Sequence, residues 1–223
     1  MRTGQHKIGE GQTAEVYYPD HNDEVCLKII HEVEAFGGVE LPERYRNKRK
    51  RERPPYIPLY NEGEFYTALE GIHPHVGVPT PHMAITIEKS EEGEKYWVTE
   101  KIQALLMKRL KNSATLREVM DQNLPLPENL DIEKFFKALH EFAEMMHKKN
   151  IYHRDLHDGN VMIDLKTGKP YVIDFGRAAF ASEGDAYEDV SPRQTETTVF
   201  MRDEENLANT ERLLRKHLTK LKQ

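Results

Sequence analysis

The sequence has a single cysteine, no long apolar run and no excess of basic charge. Cys26 has no second cysteine to bond with, which excludes an internal disulfide and favours a reducing compartment. No stretch approaches the roughly 20 apolar residues of a membrane-spanning helix, and no apolar segment follows Met1 to predict a secretory signal peptide. The net charge of −6 gives no general reason to expect a nucleic-acid partner. With 38% hydrophobic and 31% charged residues, we expect a globular protein. The cysteine count favours the cytoplasm as its location, and we expect a monomer.

The N-terminal part of the chain, to about residue 102, is rich in predicted strands. Aromatic and β-branched residues recur between turn-forming residues, which predicts strands near residues 8–18, 24–30, 82–88 and 95–102. A helix is predicted from about Leu59 to Glu70, because Phe65, Tyr66 and Leu69 share one of its faces. Residues 31–58 differ in composition and contain seven Lys or Arg residues between positions 44 and 53. This composition fits an exposed basic insertion.

Helical periodicity dominates after residue 102. Apolar residues recur every three or four positions from Ile132 to Met146, which predicts a helix with Asp131 as its N-cap. Short strands are predicted at residues 161–164 and 170–173, and a terminal amphipathic helix from about Glu204 to Leu221. The fold class is therefore α+β, with a strand-rich part over residues 1–102 and a helical part over residues 103–223.

Two segments of the helical part combine acidic, amide and glycine residues in a fixed order. The run from His153 to Asn160 reads H-R-D-L-H-D-G-N, so that Asn160 follows Asp155 by five positions. Nineteen residues after Asp155 (174 − 155), Asp174 opens an Asp-Phe-Gly triplet at the end of a predicted strand. The order, the spacing and the intervening strand–turn–strand pattern resemble the catalytic loop and metal-binding segment of the protein-kinase-like superfamily. The resemblance implies that Asp155 accepts or orients the proton of the attacking hydroxyl and that Asn160 and Asp174 bind Mg²⁺.

The first thirty residues extend this resemblance, which covers roughly residues 8–176. It implies a two-lobed protein-kinase-like fold, with an antiparallel-sheet N-lobe over residues 1–102 and a reduced helical C-lobe over residues 103–223. Gly9 and Gly11 stand in a G-x-G-x-x-A-x-V run that is similar to the kinase phosphate loop. Lys28, in Val-Cys-Leu-Lys-Ile, resembles the strand lysine that holds the ATP phosphates and pairs with a helix glutamate. Glu62 and Glu64 both qualify as that glutamate, and helical periodicity favours Glu62 because it lies beside the apolar face.

The resemblance also implies a connection between the two lobes that binds the adenine of ATP. The predicted strand at residues 95–102 ends in a polar Glu-Lys pair, which is typical of such a linker. We place the connection near Glu100 to Leu105, with backbone groups of Glu100 and Ile102 as the adenine partners.

The sequence departs from ordinary protein kinases at two places. His157 stands two positions after Asp155, where most protein kinases carry lysine, and this D-L-H-x-G-N form resembles aminoglycoside and choline phosphotransferases. Only 47 residues follow Gly176 (223 − 176), and none of them forms an A-P-E motif. The chain therefore resembles minimal kinases among bacterial type III effectors, namely the HopBF family and, next, the OspG/NleH kind.

Three functions remain open at this point. The first is an ATP- and Mg²⁺-dependent serine/threonine protein kinase. The effector resemblance implies that it is secreted into a host cell by a signal-peptide-independent route and acts on a host protein, for HopBF a chaperone of the Hsp-ninety class. The alternative is a small-molecule phosphotransferase of the aminoglycoside or choline kinase kind. The third is a non-enzymatic binding module that docks an acidic partner, a membrane surface or nucleic acid through residues 44–53, although a solvated loop is the simpler interpretation of that run.

Overall fold

A computed structural model describes residues 5–10, 14–19, 21–36, 59–93, 96–180 and 196–221. Two compact units are present. The sheet unit comprises Met1–Gly63 and Pro81–Arg109, and the helical unit comprises Glu64–Thr80 and Leu110–Gln223. Most of the predicted basic insertion, residues 37–58, lies outside the described residues. No helix within the described ranges combines the length and the apolar character needed to cross a membrane.

The sheet unit is built on one antiparallel sheet of five strands. Its spatial order is β1-β2-β3-β5-β4, and the strands are β1 (Gln5–Glu10), β2 (Glu15–Pro19), β3 (Val25–Phe36), β4 (Pro81–Gly93) and β5 (Tyr96–Lys108). Side chains on β3 alternate in burial, and Cys26, Lys28 and Ile30 are on the buried face. On β5, Leu105 lies opposite Lys28. The alternation therefore directs Lys28 towards the interior of this unit.

The predicted strand ends in this sheet were wrong. β5 continues to Lys108, so Glu100 and Ile102 lie inside a strand that is paired with β3 on one side and β4 on the other. The connection to the helical unit follows Arg109, and the predicted boundary at residue 102 falls within β5. Likewise, β3 runs to Phe36 and takes in the first residues of the predicted insertion. Charged residues suggested loops here, but Lys101 and Glu88 are paired across the ladder. Opposite charges are favourable at directly opposite positions of an antiparallel pair.

Four helices and five short strands make up the remaining described structure. The helices are α1 (Leu59–Leu69), α2 (Leu116–Gln122), α3 (Ile132–Lys148) and α4 (Glu196–Leu221). The strands are β6 (Ser113–Thr115), β7 (Ile151–Tyr152), β8 (Val161–Asp164), β9 (Pro170–Val172) and β10 (Ala179–Phe180). β6, β8 and β9 form one sheet, and β7 pairs with β10. The boundary between the two units falls within α1, after Gly63.

The helix predicted from residue 132 is present as α3. Asp131 caps it by accepting a 3.1 Å hydrogen bond from the backbone N–H of Lys134 through Oδ1, and this bond lowers the pKa of the Asp131 carboxyl. The predicted apolar stripe forms the core of the helical unit, with Phe136, Leu139, Phe142, Ala143 and Met146 almost fully buried. α2 was not predicted. It is short and depends on a capping box, in which Thr115 and Glu118 satisfy each other's backbone N–H groups.

The segment after α1 is fixed to the helical unit by a bridge to β9. The N–H of Gly77 donates to the carbonyl of Pro170 at 3.0 Å, and the N–H of Val172 donates to the carbonyl of Gly77 at 3.0 Å. A Cβ atom at position 77 would lie 2.4 Å from the ring of Tyr171, so the close approach requires glycine. This bridge attaches the C-terminal end of α1 to the strand that leads to Asp174.

Candidate active site

The ion pair predicted from the sequence is present in the sheet unit. The Lys28 Nζ atom lies 2.9 Å from Oε1 and 2.8 Å from Oε2 of Glu62, so the ammonium group contacts both carboxylate oxygens. Glu62 is fully buried in the first turn of α1, whereas Glu64 is exposed. A buried ion pair is weak evidence of a stabilising role, because desolvation offsets the attraction. The burial of the Lys28–Glu62 pair therefore favours a functional role for the Lys28 ammonium group over a purely stabilising one.

Cys26 lies on the same buried face of β3, two residues before Lys28. Burial raises the pKa of its thiol to about 11, although the charge of Arg109 acts in the opposite direction. A thiol with such a pKa is protonated at neutral pH and is a poor nucleophile. Cys26 thus acts as a small apolar side chain, as its position among apolar neighbours predicts.

The catalytic-loop residues of the helical unit lie between β7 and β8. The carboxylate of Asp155 is partly exposed, and its Oδ1 atom is 3.5 Å from Nη1 of Arg177, the residue that follows the Asp-Phe-Gly triplet. Nε2 of His157 is 3.9 Å from Oδ2 of the same carboxylate. Asp155 is therefore accessible to a substrate hydroxyl while cationic and imidazole groups flank it.

Asn160 is held so that its amide oxygen remains available. Its Nδ2 group donates a 2.8 Å hydrogen bond to the backbone carbonyl of Asp155, which fixes the orientation of the amide. The backbone carbonyl of Asn160 accepts from the N–H of Ile173 at 3.0 Å, which links the loop to the residue before Asp174. These two bonds join Asp155, Asn160 and the Asp174 segment into one hydrogen-bonded group within the helical unit.

Asp174 has a left-handed backbone conformation. Its φ angle is +62°, which is uncommon for a residue with a side chain. Its N–H donates to the hydroxyl of Tyr66 at 3.0 Å. The following Phe175 is fully buried against Tyr66 and His153, with ring centroids 5.3 Å and 4.6 Å away. Packing on both sides thus holds the turn that presents the Asp174 carboxylate.

The donor set of this group fits a magnesium ion. Mg²⁺ prefers oxygen ligands and usually combines one or two carboxylates with phosphate oxygens and water. Asp174 supplies a carboxylate, and Asn160 supplies the amide oxygen that its hydrogen bond to Asp155 leaves available. Among the described residues, no three His, Cys, Asp or Glu side chains form a metal-binding cluster.

His157 contributes to the hydrogen bonding within the catalytic loop. Its Nδ1 atom accepts a 2.9 Å hydrogen bond from the N–H of Gly159. Arg117 of α2 donates a 2.8 Å hydrogen bond to Asp158, and this bond raises the pKa of the arginine. The guanidinium also approaches Nδ1 of His157 at 3.5 Å. With Nδ1 occupied as an acceptor, a neutral His157 carries its proton on Nε2, the nitrogen on the side of Asp155.

The catalytic loop is supported by Asp203, a residue that was not predicted from the sequence. Asp203 of α4 is fully buried, and its carboxylate accepts hydrogen bonds from the backbone N–H groups of His153 and Arg154, both at 2.9 Å. Nε2 of His147 donates to the same carboxylate at 3.1 Å. Arg154 has a φ angle of +66°, so Asp203 compensates an unfavourable backbone conformation beside Asp155. The buried residues Leu207 and Leu214 follow Asp203 at helical spacing, a periodicity that could have identified it.

The remaining predicted site residues are the two glycines of the phosphate loop and the two adenine partners. Gly9 lies in β1, opposite Val16, and Gly11 lies outside the described residues. Their phosphate-binding role stays a prediction. The predicted adenine partners Glu100 and Ile102 were placed wrongly, because the ladder positions of β5 commit their backbone to pairing with β3 and β4.

Comparison with known proteins finds similarity to protein kinases. A family model of the protein kinase domain matches residues 90–205, which are 116 (205 − 90 + 1) of the 223 residues. Serine/threonine-protein kinase pim-2 of Danio rerio is 37% identical over 65 residues, 29% of this chain and 19% of that protein. Serine/threonine-protein kinase PknD of Chlamydia trachomatis serovar D is 28% identical over 182 residues, 78% of this chain and 16% of that protein. The chain thus spans less than a fifth of the length of either relative.

A solved kinase structure is also similar. The granulovirus kinase PK-1 of Cydia pomonella granulovirus aligns with a TM-score of 0.47 and 16% sequence identity, over 78% of this chain and 50% of that chain. The family model, which matches more than half of the chain, includes the catalytic loop and the Asp-Phe-Gly triplet. The chain therefore belongs to the protein kinase domain family, whose members are phosphotransferases.

Proposed function

We propose that this chain transfers phosphate from ATP to a serine or threonine hydroxyl of a protein, with Mg²⁺ as its cofactor. The observation that carries the proposal is the hydrogen-bonded group of Asp155, Asn160 and the Asp174 segment in the helical unit. Phosphoryl transfer needs in-line positioning and neutralisation of charge more than covalent chemistry. A fixed carboxylate beside an amide oxygen and a second carboxylate meets those needs. The family membership and the names of the two curated relatives support serine or threonine as the acceptor.

Each residue has a distinct role in this proposal. Asp155 accepts the hydrogen bond of the substrate hydroxyl and orients its oxygen for attack. Asn160 and Asp174 hold the metal, which when bound neutralises charge on the phosphates. Lys28, kept in position by the buried carboxylate of Glu62, binds phosphate oxygens of ATP. Gly9 and Gly11 are the residues that we assign to the phosphate loop.

A small-molecule phosphotransferase is the second candidate. His157 favours it, because the D-L-H-x-G-N form is similar to that of aminoglycoside and choline phosphotransferases. The protein kinases that the chain resembles favour the first candidate. The two differ in the acceptor alcohol and share the same catalytic residues, so the acceptor distinguishes them.

The narrower resemblance to HopBF effectors stays a proposal. Under it, the chain enters a host cell by a route that needs no signal peptide and phosphorylates a host protein, with a chaperone of the Hsp-ninety class as the first substrate to test. The motifs that suggest it are the Asn-Glu-Gly-Glu-Phe-Tyr run from residue 61 to residue 66 and the single predicted helix after the D-F-G segment. Incubation of the chain with a purified chaperone of this class and labelled ATP tests this step separately.

The test of the proposed function is transfer of labelled phosphate from ATP. A eukaryotic lysate serves as the protein acceptor, and a panel of aminoglycosides, choline and sugars serves as the small-molecule acceptors. We expect labelled serine or threonine in protein, and a loss of at least about 100-fold in rate for Asp155→Ala and for Asp174→Ala, because each removes a group that acts on the reacting atoms. Glu205→Ala, an exposed carboxylate of α4, is the matched control and keeps the wild-type rate.

Two outcomes would contradict the proposal. Equal labelling by wild type and the Asp155→Ala variant would remove Asp155 from the reaction. Transfer to a small alcohol, with none to protein, would replace the first candidate with the second.

A further inference from the structure

Tyr66 is a polar residue in an otherwise apolar part of the helical unit. It lies on α1, is 1% exposed, and packs the edge of its ring against Phe175. Its neighbours on the same helix face, Phe65 and Leu69, are also buried and have no hydroxyl group. An apolar residue would fill this space equally well, so the hydroxyl needs a separate explanation.

The hydroxyl of Tyr66 satisfies the backbone of the predicted metal ligand. It accepts the N–H of Asp174 at 3.0 Å, across 108 residues of sequence. Asp174 follows the end of β9 at Val172, and its positive φ turns the chain away from the strand direction. A buried N–H that finds no partner is costly, and a left-handed conformation adds to that cost. The hydrogen bond therefore offsets the cost of the turn at Asp174.

This bond also determines where the Asp174 carboxylate points. The direction of the Cα–Cβ bond follows from the backbone angles, so a residue held at φ +62° presents its side chain differently from an extended residue. Phe175, which is buried beside Tyr66, fixes the next residue of the turn. The carboxylate between these two contacts accepts a long hydrogen bond, 3.4 Å, from the N–H of Gly176. The backbone bond to Tyr66 is shorter and better placed to hold the conformation.

We infer that Tyr66 is a positioning residue for the metal-binding site, and that its hydroxyl keeps Asp174 in the conformation that binds Mg²⁺. The inference rests on the proposed function, because it requires that Asp174 bind the metal.

The test is metal binding by the Tyr66→Phe variant, which loses the hydroxyl and keeps the ring. Mn²⁺ is titrated into the full chain with a non-hydrolysable ATP analogue, and free Mn²⁺ is followed by electron paramagnetic resonance. We expect the half-saturating Mn²⁺ concentration to rise by about 3- to 10-fold, the usual net effect of one hydrogen bond. Tyr66→Met, which also lacks the hydroxyl, is expected to shift in the same direction. Tyr171→Phe is the matched control, removes a phenol hydroxyl from β9, and is expected to bind Mn²⁺ as wild type does.

Three results would overturn the inference. Unchanged Mn²⁺ binding by a folded Tyr66→Phe variant, while Asp174→Ala loses it, would limit Tyr66 to packing and leave the proposed function intact. Tighter binding or faster phosphate transfer in Tyr66→Phe would make the hydroxyl inhibitory. A wild-type chain that binds neither Mn²⁺ nor the analogue would contradict the proposed function, and the inference with it.

Discussion

At the scale of single residues, the backbone of the catalytic loop depends on a buried carboxylate outside the loop. Asp203 accepts two backbone N–H groups of the loop and a histidine N–H, and it is fully buried. Arg154 would otherwise pair a positive φ with an unsatisfied N–H one residue before Asp155. A buried carboxylate with three donors is well compensated for its desolvation. Asp203 of α4 therefore stabilises the backbone at Arg154, next to Asp155, from 49 residues away along the chain.

Asp203→Asn tests this support. The amide has one oxygen in place of two and brings an NH₂ group towards a backbone donor, so one N–H of the loop loses its partner. We expect the free energy of unfolding to fall by about 1–3 kcal/mol, with a slower phosphate-transfer rate at saturating ATP. Urea denaturation and steady-state kinetics measure the two effects. Glu204→Gln, the adjacent carboxylate that contacts part-exposed His140, is the control, and an equal loss in both variants would contradict the role of Asp203.

At the scale of elements, the short turn between β8 and β9 positions the segments that contain Asn160 and Asp174. β8 follows Asn160 and β9 leads to Asp174, and the turn between these strands fixes their pairing. Asp164 closes this turn, because its Oδ1 atom accepts the N–H groups of Lys166 and Thr167 at 2.9 Å and 2.8 Å. Gly168 completes the turn with a φ of +75°, where a side chain would be strained. The spacing between Asn160 and Asp174 therefore depends on local turn chemistry.

The Asp164 turn predicts an acid-sensitive contribution to stability. Burial acts to raise the pKa of the carboxyl, but the N–H groups of Thr167 and Lys166 outweigh it and lower the pKa. Because the pKa of Asp164 is lower in the native state than in the unfolded state, where it is about 4, the ionised carboxylate stabilises the fold above that pH. This stabilisation is lost as the pH falls through the native pKa. We expect Asp164→Asn to be less stable than wild type at neutral pH. In denaturant titrations the difference should shrink below about pH 4, and a difference that persists unchanged in acid would be contrary to this expectation. Glu128→Gln, an exposed carboxylate, is the control.

At the scale of the whole molecule, the proposed site residues come from both compact units. The Lys28–Glu62 pair belongs to the sheet unit, and Asp155, Asn160 and Asp174 belong to the helical unit. The basic run at residues 44–53 lies outside the described residues, so its docking role stays a prediction, as does the monomeric state. The sequence retains all four residues of the predicted kinase motifs, Lys28, Asp155, Asn160 and Asp174, which a purely structural binding module would not need.

Stabilisation of the fold by a bound ligand tests the predicted ATP- and Mg²⁺-binding residues together. A ligand that binds the native state alone stabilises it, by about 2.7 kcal/mol at a concentration of 100 times its dissociation constant. We expect a non-hydrolysable ATP analogue with Mg²⁺ to raise the unfolding temperature, and EDTA to remove most of the shift. Asp174→Ala should lose the Mg²⁺-dependent part of the shift, whereas Glu205→Ala should retain it. Thermal denaturation with and without ligand measures both, and a full Mg²⁺-dependent shift in Asp174→Ala would exclude this residue as a ligand.

The sequence by itself determined the features that depend on residue type and on short spacings along the chain. Lys28, Asp155, Asn160 and Asp174 could be predicted as site residues because the motifs are short and continuous, and their roles stay predictions. Helical periodicity similarly predicted α3, and it favoured Glu62 over Glu64 before the ion pair was seen. Such features are encoded within a few turns of the chain, so they can be predicted without knowledge of the fold.

The tertiary structure decided the strand ends and the residues that support the site. Glu100 and Ile102 were misplaced because cross-strand pairing with β3 and β4 extended a strand through a polar segment. Tyr66 and Asp203 could not be assigned roles, because their partners lie 108 and about 50 residues away. A hydrogen bond between distant residues leaves no local pattern, since it forms only when packing brings them together. The sequence therefore predicted which groups carry the chemistry, and the fold decided which groups hold them in place.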